Sequence, residues 1–101
     1  MRIILFFDLP MTTARDIKNY NTFRRKLIQE GFIMIQESVY CKLALNLSIV
    51  KSIKKRLNNI YPPKGNIQIL VITEKQFNSI EYIHDVELSN KEDSTDRILV
   101  I

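Results

Sequence analysis

A nearly continuous apolar run near the N-terminus, residues 2–8 (RIILFFD), constrains the fold of this chain more than any other feature. The run is too short to span a membrane as a helix. It ends at Asp8-Leu9-Pro10, where the proline ring forces the chain out of a sheet. A run with so many consecutive apolar residues is typical of a central strand. We therefore expect residues 2–8 to be covered by the core on one face and by a partner subunit on the other.

Two segments repeat apolar side chains at the three- and four-residue spacing of an amphipathic helix. The first has Thr12 or Thr13 as its candidate N-cap and Gly31 as its end. The second has Asn46 or Ser48 as its candidate cap and stops at Pro62-Pro63. The predicted buried stripes are Ile17, Tyr20, Phe23 and Leu27 in the first helix, and Val50, Ile53, Leu57 and Ile60 in the second.

The remaining apolar segments predict strands at residues 32–42, 67–73, 81–84 and 97–101, with a helical turn at 74–79 and a polar loop at 85–96. Polar residues 36–38 interrupt the alternation of the second strand, which indicates a bulge. Two helices on one face of a sheet predict an α+β, ferredoxin-like βαβ-αββ sandwich, a single domain over residues 1–101. We expect 2–8 and 67–73 to be its parallel central pair.

The last strand is surplus to this four-strand plan. An apolar strand without a place in its own sheet is expected to extend the edge of a second copy. A domain of 101 residues buries only about two-thirds of its unfolded surface, so pairing would also stabilise it. The sequence therefore predicts a homodimer.

Charge, cysteine content and the length of the apolar runs bear on which kinds of partner and compartment the chain is expected to have. The formal net charge of +4 is compatible with a polyanionic partner, but many proteins that bind no nucleic acid are equally basic, so charge alone does not decide between them. The single cysteine, Cys41, excludes an internal disulfide and is expected to be a packing residue. No apolar run of about 18 residues is present, so the chain is expected to be cytoplasmic, with no membrane partner.

Basic residues cluster on the first helix. At 100° per residue its polar face collects Arg15, Lys18, Arg25 and Lys26, which are candidates for contacts to nucleic-acid phosphates. The alternative is an ordinary solvated helix face. Arg24 falls within the apolar arc instead, so it is expected to hold a carboxylate or a carbonyl, or to reach solvent along its stem.

Asp8 is the candidate functional-site residue, because it ends a central strand, where ligand sites of sheet proteins are often found. The alternative is that its side chain caps the turn at Leu9-Pro10. His84, the only histidine, has no neighbouring ligand set in the sequence and is expected to be a surface or packing residue.

Several separated motifs, in order along nearly the whole chain, resemble the CRISPR-associated Cas-two (Cas2) proteins, in particular the subgroup that works beside a single-protein RNA-guided effector. They are residues 2–10 (RIILFFDLP), Tyr20-x-x-Phe23-Arg24 with Leu27, residues 30–36 (EGFIMIQ), 38–40 (SVY), 64–67 (KGNI), 71–77 (VITEKQF) and 97–100 (RILV).

The resemblance implies a homodimer that lies between two dimers of the adaptation integrase and holds double-stranded DNA. It also implies a metal-dependent endonuclease acting on RNA or DNA, in which two copies of Asp8 share one Mg²⁺ or Mn²⁺ across the dimer axis. Magnesium accepts one or two carboxylates with water or phosphate oxygens, so two aspartates would meet that need. A small regulatory dimer that binds RNA is the remaining alternative.

Overall fold

The computed structural model describes residues 1–83. Their elements are, in chain order, β1 (Arg2–Asp8), α1 (Ala14–Gln29), β2 (Ile33–Gln36), β3 (Val39–Leu43), α2 (Leu47–Leu57), β4 (Asn66–Ile72) and α3 (Glu74–Asn78). His84, the predicted loop at 85–96 and the predicted terminal strand at 97–101 lie outside the described residues. Residue 82 makes a single isolated β-bridge where a strand at 81–84 was predicted.

The four strands form one antiparallel sheet in the order β2-β3-β1-β4. β1 is central, as its apolar run predicts, and pairs with β3 on one side and β4 on the other. α1 connects β1 to β2 and α2 connects β3 to β4, so each helix joins two parallel strands that skip one neighbour. This connectivity is the ferredoxin-like arrangement and confirms the predicted α+β class.

The predicted parallel pairing of residues 2–8 and 67–73 is wrong, because β4 runs antiparallel to β1 and forms an edge of the sheet. The error begins at residues 32–42, which are a hairpin rather than one strand. Its turn lies at Glu37-Ser38, where Ser38 has a φ of 63°. That additional reversal inverts the direction of every later strand. A bulge is present too, between Met34 and Gln36.

Local capping explains both long helices. Thr13 is the N-cap of α1, and its hydroxyl accepts from the Asp16 N–H while the Asp16 carboxylate accepts from the Thr13 N–H, a reciprocal capping box. Asn46 caps α2 by accepting from the Ile49 N–H. After α1 the chain turns at Gly31, whose φ is 95°. The predicted cap and end of α1 are therefore confirmed.

The core lies between the sheet and the two long helices. It contains Ile3, Leu5 and Phe7 of β1, Phe23 and Leu27 of α1, Tyr40 of β3, and Val50, Ile53 and Leu57 of α2. Two residues of the stripe predicted for α1 lie nearer solvent, since Tyr20 is half-buried and Ile17 is exposed. Cys41 is a free, buried thiol, as expected for a packing residue. Within residues 1–83, no helix has the length and apolar character required to cross a bilayer.

An ion pair fixes α3 against the start of β1. The Arg2 guanidinium donates to both carboxylate oxygens of Glu74, at 3.0 and 2.7 Å, and its carbon lies 4.2 Å from the centre of the Phe77 ring. The hydrogen bonds from Arg2 lower the pKa of Glu74. α3 is thereby held at the end of the sheet opposite Asp8, about 20 Å away for a seven-residue strand.

Gly65 allows the loop before β4 to pack against the end of β1. Its φ is 111°, and a Cβ there would collide with the Leu9 side chain and lie 2.9 Å from the Asp8 carbonyl oxygen. Gly31 also has a positive φ, but its Cβ would meet only the flexible end of Lys42. Both positions have a positive φ, which glycine adopts most readily. They differ in that a Cβ at Gly65 would approach backbone atoms, whereas a Cβ at Gly31 would approach only a side chain.

We expect Gly65→Ala to destabilise the protein by about 1–3 kcal/mol more than Gly31→Ala, because only the former must displace backbone beside Asp8. Urea unfolding of both variants measures this difference in the free energy of unfolding. Both variants place alanine at a positive φ, so the strain from that conformation is similar in the two and the remaining difference comes from the contacts of the added Cβ. Equal midpoints for the two variants would show that the loop at residues 61–65 is not held against β1.

Candidate metal and nucleic-acid site

Asp8 is exposed at the carboxyl end of β1. Side chains alternate along a strand, and Ile3, Leu5 and Phe7 face the helices. Ile4 and Phe6 therefore point to the opposite face of the sheet, and Asp8 shares their side. A carboxylate at this position is presented on the face that neither long helix covers.

That face, which we call the open face, is apolar over most of its width. Ile4 lies opposite both Cys41 and Leu70 in the strand register, and Phe6 lies opposite Val39. Leu70 is 51% exposed and Ile33 60%. A groove of about 380 Å³ on it is lined by Ile4, Phe6, Ile35, Gln36, Val39, Leu70, Ile72, Phe77, Ile80 and Tyr82. An exposed apolar surface of this extent is typical of a protein–protein contact.

A second carboxylate lies near the same end of the sheet. The Phe7 N–H donates to the Ser38 carbonyl at 3.1 Å, so the hairpin turn stands beside the end of β1. Glu37 in this turn accepts a hydrogen bond of 3.0 Å from the Tyr20 hydroxyl. Burial, together with that bond, raises the pKa of Tyr20. Sequence reasoning missed Glu37, because it placed the residue inside a strand; recognising the turn would have found it.

The residues of one subunit do not make a complete metal site. No group of three or more metal-ligating side chains is found among residues 1–83. Glu37 is engaged by Tyr20 on α1, whereas Asp8 is exposed on the open face. One carboxylate fits magnesium only if a second oxygen ligand of the same kind comes from another copy, with water or phosphate completing the shell. The donor chemistry therefore fits a shared ion, on condition that two subunits pair on this face.

The four basic candidates on α1 do not lie at one place. Arg15, Lys18 and Arg25 are exposed and Lys26 is half-buried. Arg15 is in the first turn, near the Asp8 end, whereas Lys26 lies eleven residues further, about 16 Å along the helix axis. A track along α1 is possible for a long polyanion, and Arg15 and Lys18 lie in the part of α1 that follows Asp8 most closely along the chain.

Arg24 reaches solvent, which is one of the alternatives predicted from its place in the apolar arc. Its side chain is exposed, and no ion pair involving it is found within residues 1–83. The buried part of α1 is narrower than the sequence stripe, since Phe23 and Leu27 are its only fully buried residues. Arg24 therefore has no need of a buried partner.

Comparisons with known proteins agree with this geometry. The family model described as CRISPR associated protein Cas2 matches residues 1–80. A protein of Treponema denticola is 43% identical over 101 residues and the whole of both chains. A protein of Streptococcus mutans serotype c (strain UA159) is 46% identical over 95 residues, covering 91% of this chain and 87% of its own. Both carry the name CRISPR-associated endoribonuclease Cas2.

The fold is also found in a solved structure. The crystal structure of Streptococcus pyogenes Cas2 superposes with a TM-score of 0.62 and 17% sequence identity, covering 83% of this chain and all of the other. That likeness concerns the fold alone, whereas the family match and the full-length relatives concern the sequence. The predicted resemblance is thus confirmed, and this chain belongs to the Cas2 family of CRISPR-associated proteins.

Proposed function

We propose that this chain is an adaptation subunit of a CRISPR system, a homodimer that holds duplex DNA and bridges two integrase dimers. The open face is the observation that carries the proposal. Apolar side chains such as Leu70 and Ile33 are half exposed or more in the single chain, and a second copy would remove them from water. In this proposal residues 1–101 are one domain, and the terminal segment adds a strand to the partner's sheet.

Pairing on the open face would also join the cations of two subunits into one surface for a nucleic-acid backbone. A twofold axis across it duplicates the cations of α1, and the formal charge of +4 per chain becomes +8 per dimer. Phosphate contacts that carry no base specificity suit a subunit that holds any duplex of suitable length. In this arrangement Arg15 and Lys18 contact phosphates at the Asp8 end of the sheet, and Arg25 and Lys26 contact them further along α1.

We expect the double substitution Arg15→Ala with Lys18→Ala to weaken binding of a short DNA duplex. Each phosphate that is no longer neutralised should reduce the slope of log K against log salt by about 0.9. Fluorescence anisotropy across a salt series measures both effects. An affinity and a slope equal to those of the wild type would remove these two residues from the proposed interface.

Assembly with the integrase is tested by co-purification with the cognate protein, with and without duplex DNA. The proposal predicts a complex that contains one dimer of this chain and two integrase dimers. If no complex forms even with DNA present, the bridging role is excluded, and a small RNA-binding dimer becomes the better description.

A metal-dependent endoribonuclease is the second candidate function, favoured by the exposed carboxylate of Asp8 on the open face and by the names of the relatives. Two Asp8 carboxylates would hold one Mg²⁺ or Mn²⁺. When bound, such an ion supplies Lewis-acid stabilisation of a phosphoryl oxygen and lowers the pKa of coordinated water. Asp8 would orient the ion, and Arg15 would orient the nucleic-acid backbone.

A further inference from the structure

Two loops that are far apart in sequence meet at the Asp8 end of the sheet and line a cleft. One loop leads from β1 into α1, and the other, residues 61–65, leads into β4. The cleft has a volume of about 400 Å³. The lining residues that matter here are Thr12, Arg15, Asp16, Asn19, Pro63 and Lys64.

The backbone around this cleft is constrained on both sides. On the first side, the capping box of Thr13 and Asp16 fixes the first turn of α1, which carries Arg15. On the second side, Lys64 stands between Pro63 and Gly65, and Gly65 packs directly against Leu9 and the Asp8 carbonyl. Both cations therefore project from segments whose backbone is anchored by local contacts.

The charge of the cleft is positive. Arg15 and Lys64 are exposed, and neither forms an ion pair within the described part of the chain. Asp16 is the one carboxylate in the lining. Its Oδ2 already accepts from the Thr12 hydroxyl at 2.9 Å and from the Thr13 N–H at 3.2 Å. Those hydrogen bonds lower the pKa of Asp16 and hold its carboxylate at the N-cap of α1.

We propose that this cleft is a phosphate subsite, in which Arg15 and Lys64 hold one phosphodiester group of a DNA duplex. Arg15 supplies a planar fork of donors and Lys64 a compact point charge, a combination that suits a tetrahedral anion. The subsite rests on the proposed function and adds Lys64 to it, a residue that no helix-face argument selects. It anchors the duplex backbone beside Asp8, once in each subunit.

The test uses the full chain and a short DNA duplex, followed by fluorescence anisotropy. Arg15→Ala and Lys64→Ala should each weaken binding on the order of 10-fold near 0.1 M salt. Each should also lower the magnitude of the salt slope by about one for every phosphate that the variant no longer binds. Lys75→Ala is the matched control, because it removes the same charge from exposed α3 at the opposite end of the sheet. It should leave affinity nearly unchanged.

Joint action on a single phosphate is tested by the double variant. If Arg15 and Lys64 hold the same group, Arg15→Ala with Lys64→Ala should weaken binding by less than the product of the single effects. Strictly multiplicative effects would mean that the two residues contact separate phosphates and would overturn the shared subsite. Circular dichroism on each variant confirms that the capping box and the loop remain folded.

The possible failures are distinguishable. If the wild-type chain binds duplex DNA but Lys64→Ala behaves like Lys75→Ala, the subsite is wrong and the proposed function stands. If the wild type binds only single-stranded RNA, with the same dependence on Arg15 and Lys64, the cleft holds phosphate but the assigned duplex DNA is wrong. If the wild type binds neither nucleic acid, the subsite and the proposed function both fall.

Discussion

Asp8→Asn is expected to lower metal-dependent cleavage of RNA or DNA by on the order of 100-fold or more, because it removes both carboxylates of the proposed shared ion at once. Asparagine keeps the size of the side chain and one oxygen. The change affects an exposed position at the end of β1, so the fold should be retained. Cleavage is measured with labelled substrate and added Mg²⁺ or Mn²⁺, and a chelator should abolish it in the wild type.

Glu37→Gln is the matched control for this prediction. It removes one negative charge near the same end of the sheet, and the amide oxygen can still accept from the Tyr20 hydroxyl. Its cleavage rate should stay within a few-fold of the wild type. Calorimetric titration with Mn²⁺ adds a readout that does not depend on activity, because binding should be lost only in Asp8→Asn. Cleavage that survives Asp8→Asn would locate the reaction elsewhere.

Leu70→Glu is expected to convert the proposed dimer into monomers. Leu70 lies opposite Ile4 in the register, within the apolar groove of the open face. A twofold interface receives every substitution twice, so two carboxylates would be removed from water without partners. A loss of about 3 kcal/mol corresponds to a dissociation constant raised more than 100-fold. The monomer should remain folded, since Leu70 is half exposed in the single chain.

Light scattering coupled to size-exclusion chromatography measures this change. Leu47→Glu is the control, because it makes the same substitution at a 60%-exposed leucine in the first turn of α2, away from the sheet. A glutamate there is favourable for the helix dipole. Leu47→Glu should therefore remain dimeric. Dimers of undiminished affinity in Leu70→Glu would mean that the subunits pair through another surface.

Much of the fold was predictable because its signals are local. Thr13, Gly31 and Asn46 mark helix boundaries through capping chemistry that depends only on neighbouring residues. The nearly continuous apolar sequence of residues 2–8 correctly predicted that β1 is a central strand of the sheet. The hairpin was missed because its turn lacks glycine. Ser38 adopts a positive φ that serine seldom takes, so tertiary packing decided the turn.

The site was predictable in part, for a related physical reason. The position of Asp8 at the carboxyl end of a central strand follows from the apolar run of residues 2–8, whereas its role in binding metal stays a prediction. The exposure of Arg24 was one of the predicted alternatives, and helical spacing alone could not choose between them because it does not tell how wide the covered arc is. Lys64 could not be associated with Arg15 from the sequence, since their cleft forms only when the loop before β4 packs against Leu9.

The central claim is that two open faces pair and bring both copies of Asp8 together. Electron paramagnetic resonance, in continuous-wave mode for short spacings and in pulsed mode for longer ones, tests it directly on the Asp8→Cys variant carrying one nitroxide per chain, since native Cys41 is buried. A single label per chain gives dipolar coupling only between subunits. Pairing predicts one short, narrow distance between the two labels, which Leu70→Glu abolishes. Long or absent coupling at concentrations where the protein is a dimer would contradict it.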